Sequence, residues 1–233
     1  MIKRILIIAA VVVLLIAVFI VVRLLLLKRD IAQYREYWQQ RADADIPDNA
    51  LIYVALGDSA AQGLGASRPE NGYVGLVADH IAKKTNKPVH VINLSVSGAK
   101  VRDVIDTQIP KLSDFPKPDI LTIEIGANDM LSYDKEQFKK DYDELLPPLP
   151  ANTVISNLPS FAGSRFNHLN KYADEANEYL DSILGDSSLE YVDLNTATEG
   201  LGLGDFASDF FHPNDRSYKR WARAFIAGID KKI

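Results

Sequence analysis

The chain has 233 residues, no cysteine and a formal charge of −5. Zero cysteines exclude disulfides, thiolate metal sites and a cysteine nucleophile. The first thirty residues hold five of the basic side chains and one of the acidic ones, so the remainder carries −9. An acidic domain of that kind is a poor binder of phosphate backbones, which excludes general nucleic-acid binding.

Ile5 to Val22 is an unbroken apolar run, and Leu24–Leu27 continue it after Arg23. A helix over those 23 positions reaches ~34 Å at ~1.5 Å per residue. The hydrocarbon core of a bilayer is ~30 Å thick. The run is longer than a signal-peptide core and ends in LLLLKRD rather than at a small-residue cleavage site. Residues 1–30 are therefore expected to form a retained, single-pass transmembrane anchor, and membrane contact is expected through this helix. Flanking charge leans weakly toward a cytoplasmic C-terminal domain. The absence of cysteine fits an extracytoplasmic one, which is the expected side, with the orientation left open. Residues 31–49 read as a juxtamembrane helix and linker. Ile31–Asp45 is a polar helix broken at Ile46-Pro47-Asp48-Asn49. Its Tyr34, Tyr37 and Trp38 suit either lipid headgroups or a contact with the following domain.

Residues 50–233 alternate apolar runs with helical patterns. Leu51–Leu56, Val89–Leu94, Ile120–Ile125, Thr153–Ser156 and Leu189–Leu194 read as five strands. Tyr73–Lys84, Val101–Leu112, Lys135–Leu146, Asn167–Leu184 and Asn214–Ile229 read as helices. Continuous apolar strands between helices predict a three-layer α/β/α fold around a mainly parallel five-stranded sheet, flavodoxin-like in arrangement. Such sheets bind ligands beyond the carboxyl ends of their strands.

That rim gathers Gly57-Asp58-Ser59, Ser95-Val96-Ser97-Gly98, Gly126-Ala127-Asn128-Asp129 and Ser208-Asp209-Phe210-Phe211-His212. A serine hydroxyl needs a base, and imidazole titrates nearest neutrality. His212 is that base, and Asp209, three residues earlier, is placed to orient it. The backbone N–H groups of Ser59 and Gly98 and the Asn128 amide are candidate donors to an oxyanion.

These four blocks, in this order, resemble those of the GDSL/SGNH hydrolases over about Leu51 to Ile229. The resemblance implies Ser59 as nucleophile and oxyanion donor, Gly98 and Asn128 as further oxyanion donors, His212 as base and Asp209 as its partner. The segment Ala55–Ala66 also resembles bacterial members described as lysophospholipase-like. Together with the apolar N-terminal run, the resemblance implies a membrane-tethered serine hydrolase of carboxylic esters. It would work through an acyl-enzyme on a small-molecule ester or lipid, with no metal and no organic cofactor. The α/β-hydrolase elbow G-x-S-x-G is not met, because Ala61 stands where its second glycine belongs. The alternatives are an O-acetyl esterase of envelope glycans, a non-catalytic lipid- or glycan-binding domain, and a scaffold.

Other features read as structural. Asp58 and Asp129 are turn or cap residues, and His80, His90 and His168 are packed or solvated. Glu124, inside an apolar strand, is expected to be buried and paired. Gly200-Leu-Gly-Leu-Gly204 is a loop rather than a phosphate cradle. The segments Phe161–Phe166 and Thr196–Asp209 are the candidate walls of a pocket.

Overall fold

The computed structural model describes the backbone of residues 2–185 and 187–233, and side chains for these except residues 2, 5–10, 16, 20, 23 and 24. The chain divides into two units, Met1–Gln33 and Tyr34–Ile233. A single helix, α1 (Ile2–Ala42), supplies the first unit and enters the second. The expected anchor rests on an apolar run that falls partly outside the described side chains. Among the described residues no helix is long and apolar enough to cross a membrane. The segment expected as a juxtamembrane helix is the last part of α1, and it ends at Ala42 rather than Asp45. Within the second unit its aromatic residues face protein. Trp38 donates from its indole to the Gln62 carbonyl (2.9 Å), and the Tyr34 hydroxyl donates to the Ala66 carbonyl (2.6 Å). Both rings are buried, so of the two partners considered for them the domain holds these two.

The domain is built on five parallel strands in the order β2-β1-β3-β4-β5. They are β1 (Leu51–Gly57), β2 (Val89–Asn93), β3 (Ile120–Glu124), β4 (Thr153–Ser156) and β5 (Glu190–Val192). The inner strands β1, β3 and β4 are buried throughout or nearly so, because a strand covered on both faces has no solvated side to mark with polar residues, whereas the edge strand β5 carries Glu190 and is only partly buried. The register Tyr53↔Val91 and Tyr53↔Ile120 places β1 between β2 and β3. From β1 the chain winds first to one side and then to the other. The end of β1 is thus a switch point, where a crevice opens beyond the strands.

The two faces divide by alternation along the strands. Val54, Leu56, Ile123 and Ile155 pack with Phe138, Tyr142 and Leu180. These come from α4 (Lys135–Leu145) and α5 (Asn170–Gly185). On the opposite face Tyr53, Ala55, Ile120 and Val154 pack with Tyr73, Val77, Tyr218 and Phe225. Those belong to α2 (Tyr73–Thr85) and α7 (Asp215–Ile229).

Two expected elements change. The helix expected over Val101–Leu112 is one turn, α3 (Val101–Asp103), followed by a wider π turn (Val104–Gln108) and a 3-10 turn (Pro110–Asp114). Proline at 110 has no N–H to continue an α-helical ladder. The strand expected over Leu189–Leu194 is shorter: Asp193 caps a helix, α6 (Leu194–Thr198), that opens at Leu194, and its carboxylate accepts from the Thr196 N–H (2.9 Å).

Glu124 also departs from expectation. Alternation places it with Ile120 and Thr122 on the α2/α7 face. It is 1% exposed, and among the described residues neither carboxylate oxygen has a hydrogen-bond partner. Burial, reinforced by Asp58, pushes its carboxyl well above the ordinary value of 4.5. The folded chain therefore keeps a proton that the unfolded chain loses, and stability falls as pH rises above that ordinary value. Glu124→Gln has no such proton. We expect the melting temperature of Glu124→Gln, relative to the native chain, to climb between pH 5 and pH 8 in scanning calorimetry. A pH-independent difference would show that Glu124 is already ionised in the fold.

Candidate active site

β1 ends at Gly57, whose φ of +146° lies in the region that favours glycine. A Cβ there would sit 2.2 Å from the Glu124 carbonyl oxygen. Only glycine lets β1 leave the sheet so close to β3. Gln108 locks this exit from the other side. Its amide oxygen accepts from the Gly57 N–H (2.9 Å) and its amide nitrogen donates to the Gly57 carbonyl (2.8 Å). Reading the sequence missed Gln108. The signal available was an amide at a position spaced i+4 from Val104 and i+7 from Val101, where the helical pattern calls for an apolar residue.

Asp58 then turns the chain by accepting from the Ala60 N–H (2.9 Å), and Ser59 stands at the turn, 5% exposed. The following loop is held against the histidine loop at Gly65 (φ +93°). A Cβ on Gly65 would meet the Pro213 carbonyl at 2.5 Å and the His212 Cβ at 2.7 Å. This backbone contact sets the distance between two segments about 150 residues apart in sequence.

The segment preceding α7 folds back on itself. Ala207 donates its N–H to the His212 carbonyl (2.7 Å), and Phe210 takes a left-handed φ of +58°. Asp209 Oδ1 accepts from the N–H groups of Phe211 (2.9 Å) and His212 (3.0 Å). Its Oδ2 lies 2.6 Å from His212 Nδ1, and His212 Nε2 lies 3.0 Å from Ser59 Oγ. An acceptor at Nδ1 favours the tautomer with its proton there, which leaves Nε2 free to accept from the serine hydroxyl. Burial tends to raise the Asp209 pKa. The His212 bond and charge, with the two backbone N–H bonds, outweigh it and hold the carboxyl at about 2.

The expected oxyanion donors are distributed less simply. Gly98 (φ +84°) sits in the turn after β2 with open space where a Cβ would point. Among the described residues neither the Ser59 nor the Gly98 backbone N–H donates to a protein acceptor. Asn128 is engaged instead. Its amide nitrogen donates to Asp58 Oδ2 (2.9 Å) and to the Ala99 carbonyl (3.0 Å). It therefore joins the turn after β3 to those after β1 and β2. Asp58 is the hub of this junction and is fully buried. Burial raises its pKa to about 6, against the opposing effects of the Ala60 N–H and His212.

Ser59 and His212 open onto a cavity of about 40 Å³, traced by the centre of a water-sized sphere. Its walls include Pro159, Phe161, Leu201, Phe206, Phe211 and Trp221. Both segments expected as walls contribute. Leu201, within the glycine-rich 200–204 stretch, is buried rather than part of a free loop. The remaining histidines lie elsewhere. His80 pairs with Asp230 (2.7 Å), His90 is buried and His168 is exposed beside Phe166. Among the described residues no three His, Asp or Glu side chains are grouped to hold a metal ion.

The model of the GDSL-like lipase/acylhydrolase family matches residues 55–220. No curated protein sequence matches the chain significantly. Several solved structures share its fold. A variant of the acetyl xylan esterase Axe2 from Geobacillus stearothermophilus is 23% identical, with a TM-score of 0.64, covering 78% of this chain and 96% of its own. The lipase Lip_vut3 from a goat rumen metagenome is 22% identical, with a TM-score of 0.63 and coverages of 77% and 97%. TesA is 18% identical, with a TM-score of 0.64 and coverages of 78% and 99%. At these identities the structural likeness bears on the fold. The family match spans most of the chain and includes every block of the site, so the chain belongs to the GDSL-like lipase/acylhydrolase family and is a carboxylic ester hydrolase.

Proposed function

We propose that this hydrolase cleaves its ester through a Ser59–His212–Asp209 triad and a covalent acyl-enzyme. The observation that carries the proposal is the unbroken chain of contacts from Ser59 Oγ to His212 Nε2 (3.0 Å) and from His212 Nδ1 to Asp209 (2.6 Å). His212 Nε2 takes the hydroxyl proton as Ser59 Oγ bonds to the ester carbon. Negative charge moves onto the carbonyl oxygen. The N–H groups of Ser59 and Gly98 receive it, with the Asn128 amide joining by releasing or sharing one of its two present bonds. Collapse breaks the bond to the alcohol, and His212 returns its proton to the leaving oxygen. Water then repeats the sequence on the acyl-enzyme, with His212 again as base, and frees the carboxylic acid and Ser59. Asp209 stays ionised throughout the neutral range and stabilises the imidazolium formed in each half.

Three substrate classes are consistent with the sequence: acyl esters of the lysophospholipid kind, O-acetyl esters of envelope glycans, and acyl thioesters. The second gains support from the acetyl xylan esterases among the structures that share the fold. A fluorophosphonate probe tests Ser59 directly, because only an activated serine is labelled, and an unlabelled Ser59 would lose its place as the nucleophile.

We also infer from the apolar run Ile5–Leu27 that the enzyme is held at a membrane, with its domain on the extracytoplasmic side. The full chain is then expected to remain in the membrane fraction after a carbonate wash, and an external protease should digest the domain in intact cells. Release by carbonate would remove the tether from the proposal.

Ser59→Ala and His212→Ala are each expected to abolish p-nitrophenyl ester turnover, a loss of about 10³-fold or more, with unchanged circular dichroism. Native rates in either variant would sink the triad. Asn128→Ala is expected to lower kcat by about 10²-fold while KM changes less, because the oxyanion exists only in the transition state. A change confined to KM would take Asn128 out of the oxyanion site.

A further inference from the structure

The loop that follows Ser59 is a series of turns, and most of it is buried. Buried carbonyls without a strand or helix ladder need other donors. Four carbonyls of this loop take theirs from side chains elsewhere in the fold. Asn93 Nδ2 donates to the Ala61 carbonyl (2.7 Å), and the Tyr218 hydroxyl donates to the Leu64 carbonyl (2.6 Å). The other two donors come from α1. They are Trp38 Nε1 at the Gln62 carbonyl (2.9 Å) and the Tyr34 hydroxyl at the Ala66 carbonyl (2.6 Å). Both aromatic residues stand before residue 55, where the family match begins.

Each of these two bonds falls where the loop meets another part of the site. Gln62, held at its carbonyl by Trp38, reaches the turn after β2. Its side-chain amide donates to the Ser95 carbonyl (2.9 Å), three residues before Gly98. Ala66, held by Tyr34, follows Gly65, where the loop rests on the backbone of His212 and Pro213. The loop also closes on the nucleophile, since the Leu64 N–H donates to the Ser59 carbonyl (3.0 Å). Trp38 is 2% exposed and shares a packed cluster with Ala60, Ala61 and Ala66, so its ring and its N–H fix the loop together. A loop released from α1 would shift Ser59 against the base on one side and the Gly98 turn on the other.

We propose that Tyr34 and Trp38 are positioning residues of the hydrolase, and that α1 acts through the loop after Ser59 to set the spacing between Ser59 and His212. The inference rests on Ser59 being the nucleophile.

The test is hydrolysis of p-nitrophenyl acetate by the full chain carrying Tyr34→Phe, Trp38→Phe or both. Each substitution removes a donor and keeps a ring. The rate is taken per serine that a fluorophosphonate labels at completion, which discounts unfolded chains. The double variant should lose about 10-fold or more in kcat and in the rate of labelling, with KM changing less. A misplacement on the order of 1 Å costs up to about 10²-fold. Tyr37→Phe is the control on the same helix, because its hydroxyl accepts from Arg41 (3.1 Å), and it should keep native rates. Native kcat and labelling rate in the folded double variant would overturn the proposal even if its melting temperature fell, leaving the two residues as stability contacts. So would a change confined to KM, or an equal loss in Tyr37→Phe. Where Trp38→Phe does not fold, Tyr34→Phe decides the matter by the same readouts. Each of these results leaves Ser59 as the nucleophile. Turnover by the native chain without labelling of Ser59 would overturn both readings.

Discussion

The approach of β1 to β3 at Gly57 governs where every reactive group stands. The α carbon of Gly57 lies so close to the Glu124 carbonyl that no side chain fits between them. This closeness brings Asp58 to the Asn128 amide and leaves Ser59 above the ends of the central strands. The same tight packing recurs at Gly65, where the loop after Ser59 rests on the backbone of His212 and Pro213. Neither contact is strong in itself. Each excludes alternative positions, and exclusion is what holds a nucleophile and a base at hydrogen-bond distance. The serine and the imidazole are thus positioned by backbone, while the carboxylate of Asp209 is positioned by the N–H groups of its own turn.

Electrostatics divides the acidic groups of the site into two kinds. Asp209 is given donors on both oxygens and stays charged at about 2. Asp58 and Glu124 are placed where charge is costly, and burial raises both. Three carboxylates near one serine would otherwise repel the negative charge that forms on the ester oxygen. Keeping Glu124 protonated removes one of them. Asp58, at about 6, is held by the Asn128 amide, and Asp209 lies behind the imidazole that becomes cationic in the proposed reaction. The arrangement lowers repulsion at the oxyanion side without losing the partner that the histidine needs.

How far this could be read from the chain differs by level. The five strands were legible because buried parallel strands carry mainly apolar runs such as Leu51–Leu56 and Ile120–Ile125, the latter interrupted only by Thr122 and Glu124. The pairing of Asp209 with His212 was legible because three residues make a tight turn. The helix at Val101–Leu112 was not, since apolar spacing does not distinguish an α turn from the π turn that follows Asp103. Gln108 was missed because its partner, the Gly57 backbone, lies 51 residues away and no local pattern marks such a bond. Glu124 was expected to be paired because a buried carboxylate normally is. The fold instead meets the cost by keeping a proton on it. Asn128 showed the type of donor, an amide, but not that both its N–H groups would already be committed.

That commitment has a consequence for the reaction. An amide already bonded to Asp58 and Ala99 joins a developing oxyanion only as one of those bonds lengthens. The bond to Asp58 is the one whose strength depends on protonation, because a carboxylate accepts more strongly than a carboxylic acid. With Asp58 near 6, its hold on Asn128 weakens as the pH falls and tightens as it rises. Ser59 and Gly98 are under no such constraint, because their N–H groups have no protein acceptor to leave among the described residues. In the proposed mechanism the two backbone donors therefore form the fixed part of the oxyanion site. Asn128 forms the adjustable part, and the buried aspartate beside the nucleophile sets how readily it turns toward the substrate.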